Sequence, residues 1–381
     1  MDNYLLNKKD FSYKYFSDAL KIVKMSRRIL VWGDEDADGI TSTAILVRSL
    51  RSAGKKTDYF IPSRKRDGIG ITLKGLKKIQ RKSFDTLITV DCGSVNSSEI
   101  EELIKRNKKV IITDHHIPHS RLVHGVPYIN PHILKNEKFK HLSGAGVAFV
   151  FSVYLQNELG LCSSLKESWD FDRKNLSLTG LGTRCDRVKM NSLNSLFVSS
   201  AEKLSYHFKE IKDSGLKDEE LCSAVTSSKT RITRNMMVEI FTESSNPAHK
   251  EKVKYLKICR KMAIEYKKNI NRLYGRIKRK TEIKRAKKRL LIFDRQIEHK
   301  YIGVIAGRLS EELKKPVCII GAKGRYLSGE CRSVKPYDWV GVLEGYKNFF
   351  LSWGGHRQAA GFTLKGEMIE HFIDVFNTDS D

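Results

Sequence analysis

No apolar run in this chain of 381 residues reaches the length needed to cross a bilayer. The first 25 residues carry charges and aromatics throughout, so they lack the apolar core of a secretory signal peptide. The seven cysteines, at 92, 162, 185, 222, 259, 318 and 331, are scattered, odd in number and form no Cys-x-x-Cys. That distribution argues against a disulfide framework and a cysteine zinc site and fits a reducing compartment. The expectation is a soluble, cytoplasmic protein with no membrane partner. Acidic residues are outnumbered, 44 Asp and Glu against 70 Lys and Arg, for a formal net charge of +26. Such a surplus points to a polyanionic partner, most simply nucleic acid, because surface cations gain by releasing its counterions. Apolar residues make up 40% of the chain, enough for real cores, and the length accommodates two domains.

What is present is organised around residues 28–42. Ile29 to Trp32 read as a short buried strand, and the chain then turns acidic at once, with Asp34, Asp36 and Asp38 alternating between Gly33 and Gly39. Three carboxylates this close repel one another unless something positive sits between them. Read alone, the stretch could be an acidic solvated turn; its recurrence downstream argues otherwise. The strand Leu87 to Val90 ends at Asp91, and Val110 to Thr113 ends in Asp114-His115-His116. Helices are expected between them, over Thr41–Ala53, Leu73–Arg81 and Ser97–Lys105. Alternation of this kind predicts a parallel sheet with right-handed crossovers, in which strand ends bearing metal-capable side chains converge.

Asp58 to Pro62 read as a further strand, followed by the basic loop Ser63-Arg64-Lys65-Arg66-Asp67-Gly68-Ile69-Gly70. That loop is either a solvated turn or a phosphate contact through the planar forks of Arg64 and Arg66. Tyr128 to Pro131 read as a short strand and stop, and Ser143-Gly144-Ala145-Gly146 opens a buried core helix to about Glu158. Leu176 to Thr183 lead to Asp186, which taken alone is a surface acid or helix cap. Between Glu251 and Leu290 stand 17 Lys or Arg against 3 Glu, on an apolar spacing close to helical. This predicts a long linking helix with a cationic outer face, either solvated or a nucleic-acid track. A second α/β unit follows, with strands at Leu290–Asp294, Pro316–Gly321, Tyr326–Ser333 and Phe362–Leu364. Helices are expected at Ile302–Lys314, Trp339–Leu351 and Met368–Phe376. Gly354 and Gly355 beside His356 would let backbone amides approach an anion, or simply make a tight turn.

The candidate metal ligands are Asp34, Asp36, Asp38, Asp91, His115 and Asp186. Carboxylates and imidazole without thiolate suit Mn²⁺ or Mg²⁺. Six such groups exceed one tetrahedral site, so two ions are the natural reading, with Asp91 able to bridge them. Two ions about 3.5–4 Å apart activate a water and neutralise charge on a phosphoryl group under attack. His116 would hydrogen-bond a phosphate oxygen or assist the leaving group, and Asp114 would orient a histidine.

Asp34-Glu35-Asp36-Ala37-Asp38-Gly39, Asp91, Asp114-His115-His116 and Gly182-Thr183-Arg184-Cys185-Asp186 resemble the four motifs of the DHH phosphoesterase superfamily. Within it, Ile61 to Gly70 and Leu142 to Phe149 are similar to the RecJ-like exonucleases, and Gly354-Gly355-His356 with Ala359-Ala360-Gly361 resembles the accessory DHHA1 domain. The resemblance implies a manganese- or magnesium-dependent nuclease acting 5′ to 3′ on single strands in a cleft between two domains. It implies the six metal ligands above, His116 at the reacting phosphate, and Arg64, Arg66, Arg332, Ser333 and His356 on the substrate. Gly354 and Gly355 belong to the same substrate-binding segment. Where RecJ-like proteins carry Gly-Ser-Gly-Arg-Ser, this chain has Gly329-Glu330-Cys331-Arg332-Ser333, and Glu330 would repel a terminal phosphate. The expectation is a chain that lacks the extra oligonucleotide-binding region of full-length bacterial RecJ. The expected organisation is α/β: a parallel-sheet DHH-type domain over 1–195, a basic helical linker over 196–288 and a smaller α/β DHHA1-type domain over 289–381. Two alternatives stand beside the exonuclease: a DHH phosphodiesterase of short oligoribonucleotides or cyclic dinucleotides, and a non-catalytic nucleic-acid-binding relative.

Overall fold

A computed structural model describes residues 6–118, 121–227, 231–279, 288–334 and 336–378. The chain separates into two compact units, Met1–Ala263 and Ile264–Asp381.

Strands β1 (Arg28–Trp32), β2 (Lys56–Phe60), β3 (Thr86–Val90), β4 (Lys109–Thr113) and β5 (Tyr128–Ile129) form the sheet of the first unit. Their order is β2-β1-β3-β4-β5 and every pairing is parallel. The expected α/β class and parallel sheet are thus realised. The chain steps outward from β1 to β2 and then returns to the other side of β1 for β3, which makes the β1/β3 boundary a topological switch point. The strands read as unbroken apolar runs because both faces are covered. Ile29, Val31, Ile88, Val90 and Ile111 turn to one side, against the helices Ala37–Ser52 and Gly144–Glu158. Leu30, Trp32, Leu87, Val110 and Ile112 turn to the other, against Leu76, Ile79, Ile100 and Leu103. Burying each such side chain contributes about 1.5–3 kcal/mol.

The residues expected as a linker, 196–288, contribute to both units. Leu204, Phe208, Ile211, Leu221, Val238 and Phe241 enter the large core of the first. The helix His249–Ile277 then puts Tyr255, Leu256, Cys259 and Ala263 into that core and Ile270, Leu273 and Ile277 into the second unit's core. Residues 280–287 of the expected basic stretch lie outside the described residues.

In the second unit, β6 (Leu290–Glu298), β7 (Val317–Lys323), β8 (Tyr326–Arg332), β9 (Ser352–His356) and β10 (Ala359–Lys365) are ordered β6-β7-β8-β10-β9. Only β6 and β7 pair in parallel. Two expectations change here. The helix expected over 339–351 runs only from Trp339 to Gly345, then a 3-10 turn, because Phe349 and Phe350 fold back onto Phe372 and Phe362. The Gly354-Gly355-His356 segment is a strand rather than a turn, pairing Gly354 with Gly361 and Gly355 with Ala360. Gly355 is required there: at φ 139° a Cβ would lie 2.5 Å from the Ala359 carbonyl oxygen.

The cysteine reading is corrected at one pair. Cys185 and Cys222 form a disulfide across 37 positions, with Cα atoms 5.6 Å apart, while the other five cysteines are free and buried. The pair arises because the helices Arg173–Asp186 and Asp218–Ser227 pack side by side, which spacing alone does not reveal. Among the described residues, no helix is long and apolar enough to cross a membrane.

Candidate metal centre

The three acid-bearing strands β1, β3 and β4 are adjacent in the sheet, so their carboxyl ends deliver side chains to one place. The candidate ligand atoms fall into three overlapping groups, Asp34-Asp36-Asp91, Asp38-His115-Asp186 and Asp91-His115-His116, each within 4.8 Å. All six sequence candidates and His116 are therefore brought together.

Each position has a local cause. Asp36 caps the helix Ala37–Ser52, its Oδ1 accepting the Gly39 amide at 3.0 Å. Asp38, in the first turn of the same helix, reaches the amino end of the helix Gly144–Glu158 and accepts the Gly144 and Ala145 amides at 2.6 and 2.9 Å. An anion is stabilised at that helix end by the free amides and the dipole. Asp91 follows β3 at φ 58°, a conformation that costs a non-glycine residue about 1 kcal/mol and turns its carboxyl into the cluster. Asp186 is the last residue of its helix, where the dipole disfavours an acid, so it calls for a positive neighbour. His115 Nε2 lies 3.1 Å from Asp91, 3.7 Å from Asp186 and 3.9 Å from Asp38.

Asp114 is buried and does not join these groups. Its Oδ2 accepts the Ser94 amide, and its Oδ1 accepts the His115 amide and holds His116 Nδ1 at 2.8 Å. Burial opposes ionisation of Asp114, but the His116 contact prevails and holds it down to about 2. Burial likewise opposes a charge on His116, yet Asp114 raises it to about 9. Asp38, by contrast, is pushed up to about 7 by burial and by Asp186, and Asp91 rises well above the carboxylate range through burial and Asp38. Asp38 and Asp91 are thus short of positive charge.

Asp91 Oδ1 and Asp186 Oδ2 are buried and accept no hydrogen bond. Buried oxygens that make no hydrogen bond, with His115 Nε2 3.1 and 3.7 Å away, in a hard oxygen and imidazole set, fit divalent cations of the Mn²⁺ or Mg²⁺ type.

Arg64 stands in the single turn Arg64–Asp67 and is directed into the acidic loop, bound to Asp34 and, at 2.7 Å, to Asp36. Arg66 is exposed. In the second unit, Arg332 pairs with Glu330 at 3.0 Å, and the Ser333 amide donates to the Gln358 carbonyl at 3.0 Å. Gly354 and Gly355 are exposed, and the His356 side chain lies outside the described residues. Sequence reading missed Asn130, whose amide donates to Ser94 Oγ and to the His116 carbonyl at 2.8 and 2.9 Å, pinning the loop after β4. Its signal was the Asn130-Pro131 pair, read only as a stop.

The DHH family N-terminal domain matches residues 28–182 and the DHHA1 domain matches 287–379. The chain thus carries a DHH N-terminal domain and a DHHA1 domain. It is similar to the single-stranded-DNA-specific exonuclease RecJ of Thermus thermophilus, 29% identical over 92% of this chain and 51% of the relative. It is similar also to RecJ of Escherichia coli, 26% identical over 92% of this chain and 65% of the relative. The chain thus spans about half to two thirds of the length of these curated relatives. A solved exonuclease RecJ bound to manganese shares the fold, with a TM-score of 0.73 at 23% identity over 96% of this chain and 94% of that one.

Proposed function

We propose that the protein is a metal-dependent phosphodiester hydrolase, a RecJ-like exonuclease that degrades single-stranded DNA from 5′ to 3′. The observation that carries this reading is the convergence of β1, β3 and β4 on one cluster in which an Asp91 and an Asp186 oxygen are buried with no hydrogen bond. Asp34, Asp36, Asp38, Asp91, His115 and Asp186 would hold two Mn²⁺ or Mg²⁺ ions. When bound, these would activate water and offset charge at the phosphorus.

The chain's own groups prepare the rest. His116, held through Nδ1 by Asp114, offers Nε2 to a phosphate oxygen or to the departing oxygen. Asp38 ties the acidic loop to the helix Gly144–Glu158, which fixes the distance between the β1 end and the core helix. Arg66, exposed beside the site, is suited to a backbone phosphate, and Arg64 to the same role while it balances Asp34 and Asp36. Residues 289–381, with Arg332, Ser333, Gly354, Gly355 and His356, would bind substrate. Residues 1–195 would house the chemistry. The partner is single-stranded nucleic acid, in keeping with the net charge of +26.

The test offers the purified protein with Mn²⁺ three substrates: 5′-labelled single-stranded DNA, a dinucleotide and cyclic di-AMP. Release of mononucleotides from the labelled strand is expected. Turnover of the dinucleotides alone would overturn the exonuclease, and strand binding without turnover would make the protein a non-catalytic relative.

A further inference from the structure

Burying an arginine carries a desolvation penalty of several kcal/mol that only a close, well-formed pairing offsets. Arg234 is such a residue: its side chain is 1% exposed, and Nη1 lies 2.7 Å from Glu35 Oε2. It stands on the helix Arg231–Phe241, in the part of the chain that no motif accounts for. That helix packs against Ala37–Ser52, the helix that begins at the acidic loop. It is also joined to β2, because the Tyr59 hydroxyl donates to Glu239. Arg66 and Asp67 lie within electrostatic reach of the same guanidinium.

Glu35 sits between two candidate ligands, Asp34 and Asp36. Those two share Arg64 as a partner, while Glu35 departs from them to Arg234. Fixing the middle residue fixes the backbone on both sides of it. A buried ion pair is commonly no more stabilising than apolar residues of the same shape, so stability alone gives no reason for charges here. Ligand geometry does, since a metal site tolerates only about 0.5 Å of misplacement.

We propose that Arg234 is a positioning residue for the metal site: by holding Glu35, it sets the placement of Asp34 and Asp36. The inference rests on the proposed metal role of those two acids. The pair lies outside the ligand set and acts through the loop.

The test is calorimetric Mn²⁺ binding to the metal-free 381-residue chain, with the thermal midpoint measured alongside. Glu35→Leu combined with Arg234→Met removes the pair while conserving net charge, so a change in cation affinity cannot come from a lost or gained charge. The expected result is a midpoint close to the parent's and a Mn²⁺ Kd raised about tenfold, the usual effect of losing a group that orients a ligand. Unchanged Mn²⁺ affinity in that variant overturns the positioning role. If it does not fold, Glu35→Gln with Arg234→Gln, also charge-conserving, is read by the same two outcomes. Absence of Mn²⁺ binding by the parent chain would instead remove the metal reading, and this inference with it.

Discussion

Gly144 leaves no room for a side chain beside Asp91. A Cβ on Gly144 would stand 2.6 Å from the Asp91 Cβ and 2.7 Å from its Oδ1. The same residue's amide holds Asp38 at 2.6 Å, so one backbone position touches two of the candidate ligands. Gly144→Ala should therefore displace Asp91, lowering turnover at least about tenfold while destabilising the fold by only about 1–3 kcal/mol. Gly146→Ala is the control, because its Cβ would meet Leu142 and Phe197 at 3.2 to 3.4 Å, away from the acids. Equal rates for the two variants would remove the link between Gly144 and the site.

Asp91 belongs to two of the three ligand groups. Asp91→Ala should bring turnover below detection, and metal titration should show fewer ions bound than by the parent. Near-normal rates in that variant would falsify a shared role for this carboxylate.

The fold and the membership of the cluster were legible because they rest on local patterns: apolar strand, acid, helix, repeated along the chain. Asp34 and Asp91 are each the first polar residue after a strand, His115 is the second after β4, and adjacency of β1, β3 and β4 did the rest. What was not legible depends on contacts between distant residues. Asp38 is held by amides 106 and 107 positions away, and Glu35 by an arginine 199 positions away. Neither contact leaves a periodic trace, and Gly144 and Ala145 read only as the opening of a core helix. Arg64 was read as facing substrate, and the geometry that turns it toward Asp34 depends on a single helical turn too short to announce itself. The disulfide between Cys185 and Cys222 likewise follows from helix packing, not spacing.

Asp114 is a counterion for His116 rather than a member of the ligand groups, which has a measurable consequence. With Asp114→Asn, the imidazole loses the carboxylate that raises it to about 9 against the pull of burial. In the metal-free protein, the ring resonances of His116 should then titrate closer to the ordinary value of about 6.5. A midpoint still near 9 would assign the shift to some other neighbour.

Exposed lysines on the helix His249–Ile277 should make strand binding steeply salt-dependent. Lys250, Lys254, Lys257 and Lys261 line one open groove at spacings of three or four residues, about a helical turn each. Single strands lose affinity with a logarithmic slope of about 0.7 per phosphate contact. Changing all four to glutamine should flatten the slope by up to about 3. A salt titration unchanged by the four substitutions would show that the strand does not run along this face.

Asp85 links pH to stability at the base of the first sheet. Its Oδ2 accepts the Arg27 and Arg28 amides at 2.9 and 3.0 Å, just before β1, and Oδ1 accepts the Thr86 hydroxyl. Burial works against the charge, but the two amides outweigh it and lower the folded-state value below the ordinary one. A carboxyl that is more acidic when folded stabilises the fold above its unfolded value of about 3.9. That contribution disappears as pH falls through the lower folded value. Because Asp85 is partly exposed, Asp85→Ala should reduce unfolding free energy by only about 1 kcal/mol at pH 7. The difference between parent and variant in urea unfolding should shrink as the pH is taken below 4. A gap that stays constant down to pH 3 would mean the carboxylate's charge is not what holds the Arg27 and Arg28 amides.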